Sequence, residues 1–279
     1  MQQSHYHNLS TMAKFSEYLK DLRKSGQLSF SIEKAASDLK ISKHNALSSI
    51  YRIKKRGEII SPAQGFYVII PPEHQLQGCL PAAELVPILM QHLGVNYYVG
   101  LLSAAMYHGA THQKPNSFQV ISDKQIRKSL KFGQISIDAI YKKSLANLPI
   151  QEIAVDSGYL KISSPELTAM DLLLYSGRSG GLNHIATVLS ELVQSIDLKK
   201  LIELANISNQ KFWLQKLGYI LEKIDAENPD HKQEIINGLQ EYLSSSKKLV
   251  AIAPEVPIKG YPRCKKWMII ENTTIESDL

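Results

Sequence analysis

His108 and His112 stand four residues apart, the spacing at which a helix can offer two imidazoles to one metal ion. Gly109 falls between them and stops the helix, so no metal site is expected. Gly177-Arg178-Ser179-Gly180-Gly181 has the glycine content of a loop that cradles phosphate, but lacks the Lys-Ser/Thr pair needed to neutralise and coordinate it. A turn between helices is expected there, and no nucleophile elbow. Asp197-Leu198-Lys199 has the acidic-x-Lys form found where nucleases cluster carboxylates around a divalent cation. It opens a helical pattern, however, where Asp serves as a cap or first-turn residue, and no Glu-x-Lys occurs in the chain. Cys79 and Cys264 match neither a zinc spacing nor a disulfide framework. The expectation is a protein without catalytic residues, cofactor or metal.

The chemistry the chain does advertise is the neutralisation of phosphate. Residues 1–70 carry 11 Lys and Arg against 5 Asp and Glu, whereas residues 71–279 carry 21 against 21. A basic module on an electrically balanced body points to nucleic acid as partner. The candidate DNA-binding residues are Lys43, His44, Asn45, Ser48, Arg52, Lys54, Lys55 and Arg56, with Gln64 from a neighbouring turn. Asn45 and Ser48 suit hydrogen bonding to base edges, and the cations toward the far end suit phosphates.

These residues need a helix to present them. Over residues 11–24, Phe15, Leu19 and Leu22 recur at helical spacing before Gly26. Ser31 precedes a short second helix with Ile32, Ala35, Ala36 and Leu39 on one face, and Ser42 caps a third over residues 43–56. Only Lys40-Ile41 separates the second from the third, as a helix-turn-helix requires. On the third, Ala46, Leu47, Ile50 and Ile53 form the inward stripe. After Gly57, two strands joined by Pro62-Ala63-Gln64-Gly65 read as a wing, with Phe66 and Tyr67 as packing residues. The N-terminal segment is therefore expected to be a winged helix-turn-helix over residues 1–72.

Pro71 and Pro72 end the wing and mark a boundary near residues 71–80. A helix follows with Pro81 at its start and a kink or break at Pro87, then an apolar helix from Tyr97 to Gly109. Strand patterns occupy residues 118–122, 134–141, 150–155 and 159–162, forming one mostly antiparallel sheet. From Ser164-Pro165 onward the pattern is helical, with Tyr97, Tyr98, Trp213 and Tyr219 in the core. Late strands near residues 249–252 and 267–270 are expected to return to the sheet. The fold class is α+β, with a larger α+β domain over residues 80–279.

Residues 85–113 contain no Asp, Glu, Lys or Arg, yet Pro87, Gln91, His92, Gly94 and Asn96 interrupt that run, which favours buried core over a membrane span. The polar start MQQSHYHN and the two unpaired cysteines favour a reduced, cytoplasmic setting.

Several stretches together resemble the AbiEi-type antitoxins of type IV toxin–antitoxin, or abortive infection, systems. They are Arg56-Gly57 with Gly65-Phe66-Tyr67, the run Tyr97-Tyr98-Val99-Gly100-Leu101-Leu102-Ser103-Ala104-Ala105 with His108-Gly109, the run Ser163-Ser164-Pro165-Glu166-Leu167-Thr168-Ala169-Met170-Asp171-Leu172-Leu173, and Leu217-Gly218-Tyr219-Ile220-Leu221-Glu222. The resemblance spans roughly residues 30–225. It implies an antitoxin that represses its own operon by binding inverted repeats of double-stranded DNA; two half-sites would need two copies of the chain. It also implies a nucleotidyltransferase-like toxin as functional partner, countered without a stable complex. Two other readings of the residues stay open: a nuclease tethered by the winged helix, and a ligand-sensing transcriptional regulator.

Overall fold

The computed structural model describes residues 2–111, 115–126 and 129–275, with side chains from residue 12 onward except that of Ser129. His112, one member of the histidine pair, lies outside the described residues. The chain divides into two compact units, one comprising Met1–Asn96, Lys124–Ala139 and Ile153–Leu160, the other Tyr97–Asp123, Ile140–Glu152 and Lys161–Leu279.

The first unit begins with α1 (Gln2–Lys24), longer than its apolar periodicity indicates because the polar residues before Thr11 continue the same helix. Next come β1 (Ser29–Ser31), α2 (Ile32–Asp38) and α3 (Lys43–Lys55). The side chain of Ser31 accepts a hydrogen bond from the Lys34 N–H, and that of Ser42 one from the Asn45 N–H, so each serine satisfies a donor that a helix start leaves open. Between α2 and α3 the N–H of Lys40 donates to Ser37 and that of Ile41 to Ala36, with Lys40 in the left-handed region at φ 51°. This is a Schellman stop. It turns the chain sharply enough for α3 to cross α2.

Phe15, Leu19, Ile32, Ala46, Ile50 and Ile53 are each no more than 3% exposed. Burial of each large member contributes about 1.5–3 kcal/mol. Leu47 departs from the expected inward stripe and is 45% exposed, while Ser49 is buried. At about 100° per residue Leu47 lies about 60° beyond Ile50 on one flank of the stripe and Ser49 about 40° beyond Ile53 on the other, so the buried face is turned toward Ser49.

The wing pairs β2 (Ile59–Ala63) with β3 (Phe66–Ile69), and β1 adds a third strand in the order β1-β3-β2. The register shifts between Ile60 and Ala63, where Pro62 sits; a proline is tolerated in a strand at such an irregularity. Phe66 and Tyr67 are buried as expected, Phe66 stacked on His92 at 3.8 Å between ring centroids and Tyr67 on Phe30 at 5.4 Å. Helix α4 (Ala82–Leu93) runs unbroken through Pro87. Loss of one backbone donor is offset by the burial of Leu85, Val86, Leu89 and Met90 around it.

The next elements are β4 (Tyr97–Val99), α5 (Leu101–Tyr107), β5 (Phe118–Ser122), β6 (Ser129–Phe132) and β7 (Ile135–Tyr141). Tyr97–Val99 is a strand, not the start of the helix that the apolar run suggests. Gly100 holds extended backbone (φ −130°, ψ −173°) and caps α5. The residues before it are β-formers whose N–H and C=O groups pair with β5, Tyr97 opposite Ser122 and Val99 opposite Val120. The hairpin of β6 and β7 turns at Gly133 (φ 54°), where a Cβ would lie 2.2 Å from the Gln77 carbonyl oxygen.

Strands β8 (Ile150–Val155) and β9 (Gly158–Ser163) follow, with β9 parallel to β4 through Val99 and Ile162. Then come α6 (Pro165–Leu174), α7 (Leu182–Leu192), α8 (Leu198–Ser208), α9 (Phe212–Leu221) and α10 (Pro229–Leu243). Ser164 caps α6 and Asp197 caps α8, each accepting from a backbone N–H three residues on. Trp213 through Leu221 are all buried, so α9 is core. The tail does not return to the body's sheet. Strands β10 (Val250–Ala251), β11 (Arg263–Cys264) and β12 (Ile269–Ile270) form a separate small sheet in the order β10-β12-β11.

Candidate nucleic-acid interface

Helix α3 sorts its residues by face. Ala46, Ser49, Ile50 and Ile53 are buried, while His44, Asn45, Tyr51, Arg52, Lys54 and Lys55 are exposed and Ser48 is half-buried. The last turn holds Arg52, Lys54 and Lys55, where cations also oppose the negative end of the helix dipole. The Lys55 ammonium sits 4.9 Å from the centre of the Tyr51 ring. Gln64 is exposed at the tip of the wing, where the hairpin passes from Ala63 to Phe66 through Gln64 and Gly65 (φ 70°).

Two candidate residues are already engaged. Lys43 donates to Glu33 at 2.7 Å, and that ammonium holds the Glu33 carboxyl below its ordinary value. Arg56 lies 3.4 Å from a Glu58 carboxylate oxygen and also reaches the Met12 sulfur. Sequence reasoning missed Tyr51 as an exposed residue of this face. Spacing alone gave no signal: Tyr51 lies four residues from Leu47, expected to face inward, as well as four from Lys55.

In the second unit the stretches Tyr97–Gly109 and Ser163–Asp171 are joined by two groups of buried hydrogen bonds. Tyr98 donates its hydroxyl to Asp171, and the Lys142 ammonium lies 3.2 Å from the other oxygen of that carboxylate. Burial pushes the Asp171 carboxyl above its ordinary value, with Lys142 opposing. His108 donates from Nε2 to the Ser163 carbonyl at 2.8 Å, and burial pulls its imidazole below the usual value. Ser163 and Thr168 share a hydrogen bond of 2.6 Å. Glu166 accepts from the Ser164 hydroxyl with one oxygen and from the Asp197 N–H with the other, tying the start of α6 to the start of α8. Each of these side chains is occupied by a partner within the fold, as in a scaffold.

The remaining sequence candidates are also structural. Gly177-Arg178-Ser179-Gly180-Gly181 does spell Gly-x-Ser-x-Gly, the spacing of a nucleophile elbow. It follows a helix and not a strand, and Ser179 is fully buried with its hydroxyl donating to the Tyr175 carbonyl. Among the described residues no group of three or more His, Cys, Asp and Glu side chains could hold a metal ion. No described helix is long and apolar enough to cross a membrane.

The tail is held against α9. Gln215, 2% exposed, donates to the carbonyls of Lys248 and Trp267, and Tyr219 donates to Glu271 at 2.8 Å. Lys266 pairs with Glu222. Trp267 is 1% exposed, and its ring packs onto Gly218 so closely that a Cβ there would fall 2.2 Å from the ring.

Residues 98–223 match the family model described as the AbiEi antitoxin C-terminal domain, so the resemblance to AbiEi-type antitoxins holds over that segment. The match supports an antitoxin role in a toxin–antitoxin or abortive infection system. It takes in Tyr98, His108, Ser163, Glu166 and Asp171 and ends before the tail. The fold is similar to that in the solved structure titled "Crystal structure of RV2827C protein from Mycobacterium tuberculosis". The TM-score is 0.64 at 14% identity, covering 91% of this chain and 90% of that one, and at that identity the likeness concerns fold alone. No curated protein matches the chain.

Proposed function

We propose, on the premise of an AbiEi-type antitoxin domain over residues 98–223, that this chain is a DNA-binding antitoxin of a type IV toxin–antitoxin pair. In this reading a winged helix-turn-helix over residues 1–72 grips inverted repeats in the promoter of its own operon and represses it. The domain over residues 80–279 counters a nucleotidyltransferase-like toxin without a lasting complex. The protein acts in the cytoplasm and catalyses nothing.

The observation that carries the DNA-binding half is the exposure of His44, Asn45, Arg52, Lys54 and Lys55 on a helix whose other side is buried. Such a helix enters a major groove with its N-terminal residues toward the bases and its cations toward phosphates. Each phosphate so neutralised releases counterions and adds about 0.9 to the slope of log affinity against log salt.

Changing Arg52 and Lys55 together to Ala removes two such contacts. The variant binds the DNA upstream of its own gene more weakly, with a slope shallower by about 2. Binding as tight as that of the unaltered chain rejects this role for α3. The same variant, tested in cells, derepresses the operon yet still protects against the adjacent toxin. Loss of protection in a folded variant rejects the division of labour. Sedimentation with and without the operator counts the copies bound; one copy per operator rejects the paired half-sites.

A further inference from the structure

We propose that Leu47 and Tyr51 form an apolar reading surface for thymine methyl groups in the major groove, an inference that rests on the DNA-binding role of α3 given above. The two side chains lie one helical turn apart and are 45% and 61% exposed. The other apolar residues of α3, Ala46, Ile50 and Ile53, are fully buried. Leu47 and Tyr51 therefore add nothing to the core, and they stand side by side on the face that holds the helix's cations.

That setting selects the occupant. An apolar protein surface laid over Leu47 and Tyr51 would strip water from Arg52, Lys54 and Lys55 without pairing them, which is costly. A duplex meets both needs. Its phosphates take the cations, and its major groove presents one apolar group to a side chain, the C5 methyl of thymine. The Lys55 ammonium lies 4.9 Å from the centre of the Tyr51 ring, so the aromatic face and a cation are neighbours on this surface.

The test compares the full chain on the duplex that precedes its gene with the same duplex carrying uracil for every thymine, a change that deletes methyls and keeps all base-edge hydrogen bonds. Burial of one methyl is worth about fourfold in affinity, so the unaltered chain binds the uracil duplex at least about fourfold more weakly. Leu47→Ala and Tyr51→Ala each lose a similar factor on thymine DNA and lose most of the discrimination between the two duplexes. Tyr51→Phe keeps both. The substituted positions are exposed and Ala favours helix, and circular dichroism checks that the fold is intact. Equal binding of the unaltered chain to the two duplexes overturns the reading surface and leaves DNA binding by α3 standing. No binding to either overturns both. A change in sedimentation of the Ala variants without DNA, with discrimination unchanged, also overturns the reading surface and gives the pair to a protein contact.

Discussion

Tyr98 donates its hydroxyl to Asp171 at 2.8 Å across 73 residues of chain, with both side chains wholly buried. The bond joins two of the sequence stretches that resemble the antitoxin family, and its role is to hold β4 against α6. A carboxylate at that depth needs every partner it has, and Lys142 supplies the second.

Tyr98→Phe leaves one carboxylate oxygen of Asp171 without its donor in the core. The expected loss is about 1–3 kcal/mol in urea denaturation. Lys142→Met costs more, because it removes the charge that opposes the carboxylate. An unchanged midpoint for either variant would show that the group is not carrying the packing assigned to it.

His108 makes stability depend on pH. Burial lowers its folded pKa below the unfolded value of about 6.5, so the unfolded chain takes up a proton first as pH falls. Its contribution is present above about pH 6.5 and is lost as pH drops through the depressed folded value. Denaturation at a series of pH values should show this decline, and His108→Gln, which keeps a donor for the Ser163 carbonyl, should flatten it.

Lys40 occupies a left-handed conformation that L residues adopt at a cost of about 1–2 kcal/mol. Lys40→Gly is therefore expected to raise the stability of the helix-turn-helix by about 1 kcal/mol, whereas Lys40→Ala should not. Thermal unfolding of the two variants side by side decides the matter.

Gly218→Ala drives a methyl into the Trp267 ring, where overpacking typically costs about 1–3 kcal/mol or more. The tail should loosen first. Limited proteolysis between β10 and β12, with tryptophan emission shifting to the red, reads that event; protection equal to the unaltered chain would mean that the tail is anchored elsewhere.

Local signals were legible in the sequence where their cause is local. Ser42 and Ser164 cap helices as expected, Ser31 caps the helix it was expected to precede, and Asp197 proves to be a cap, because a cap is satisfied by a backbone group three residues away. Leu47 was misread because a stripe drawn at helical spacing does not say how wide the buried face is. Tyr97–Val99 was misread because an apolar run suits a buried strand as well as a helix, and only its pairing with β5 decides. The late strands near residues 249–252 and 267–270 were legible and contain β10 and β12, but strands of two residues carry no signal of which sheet they join. Of the candidate site, the cations and Ser42 were readable, while the exposure of Tyr51 depended on how α3 is rotated against its neighbours. The hydrogen-bond system around Asp171 depended on long-range contacts that spacing cannot reveal.

The absence of a side chain at Gly218 gives the tail's indole a slot of its own shape. Trp267→Gly would empty that slot and leave a chamber walled by apolar groups, of the kind that stays dry and takes up small aromatic molecules. Free indole dissolved in the buffer should then slide into the vacancy and restore the melting temperature, a chemical prosthesis for the missing residue.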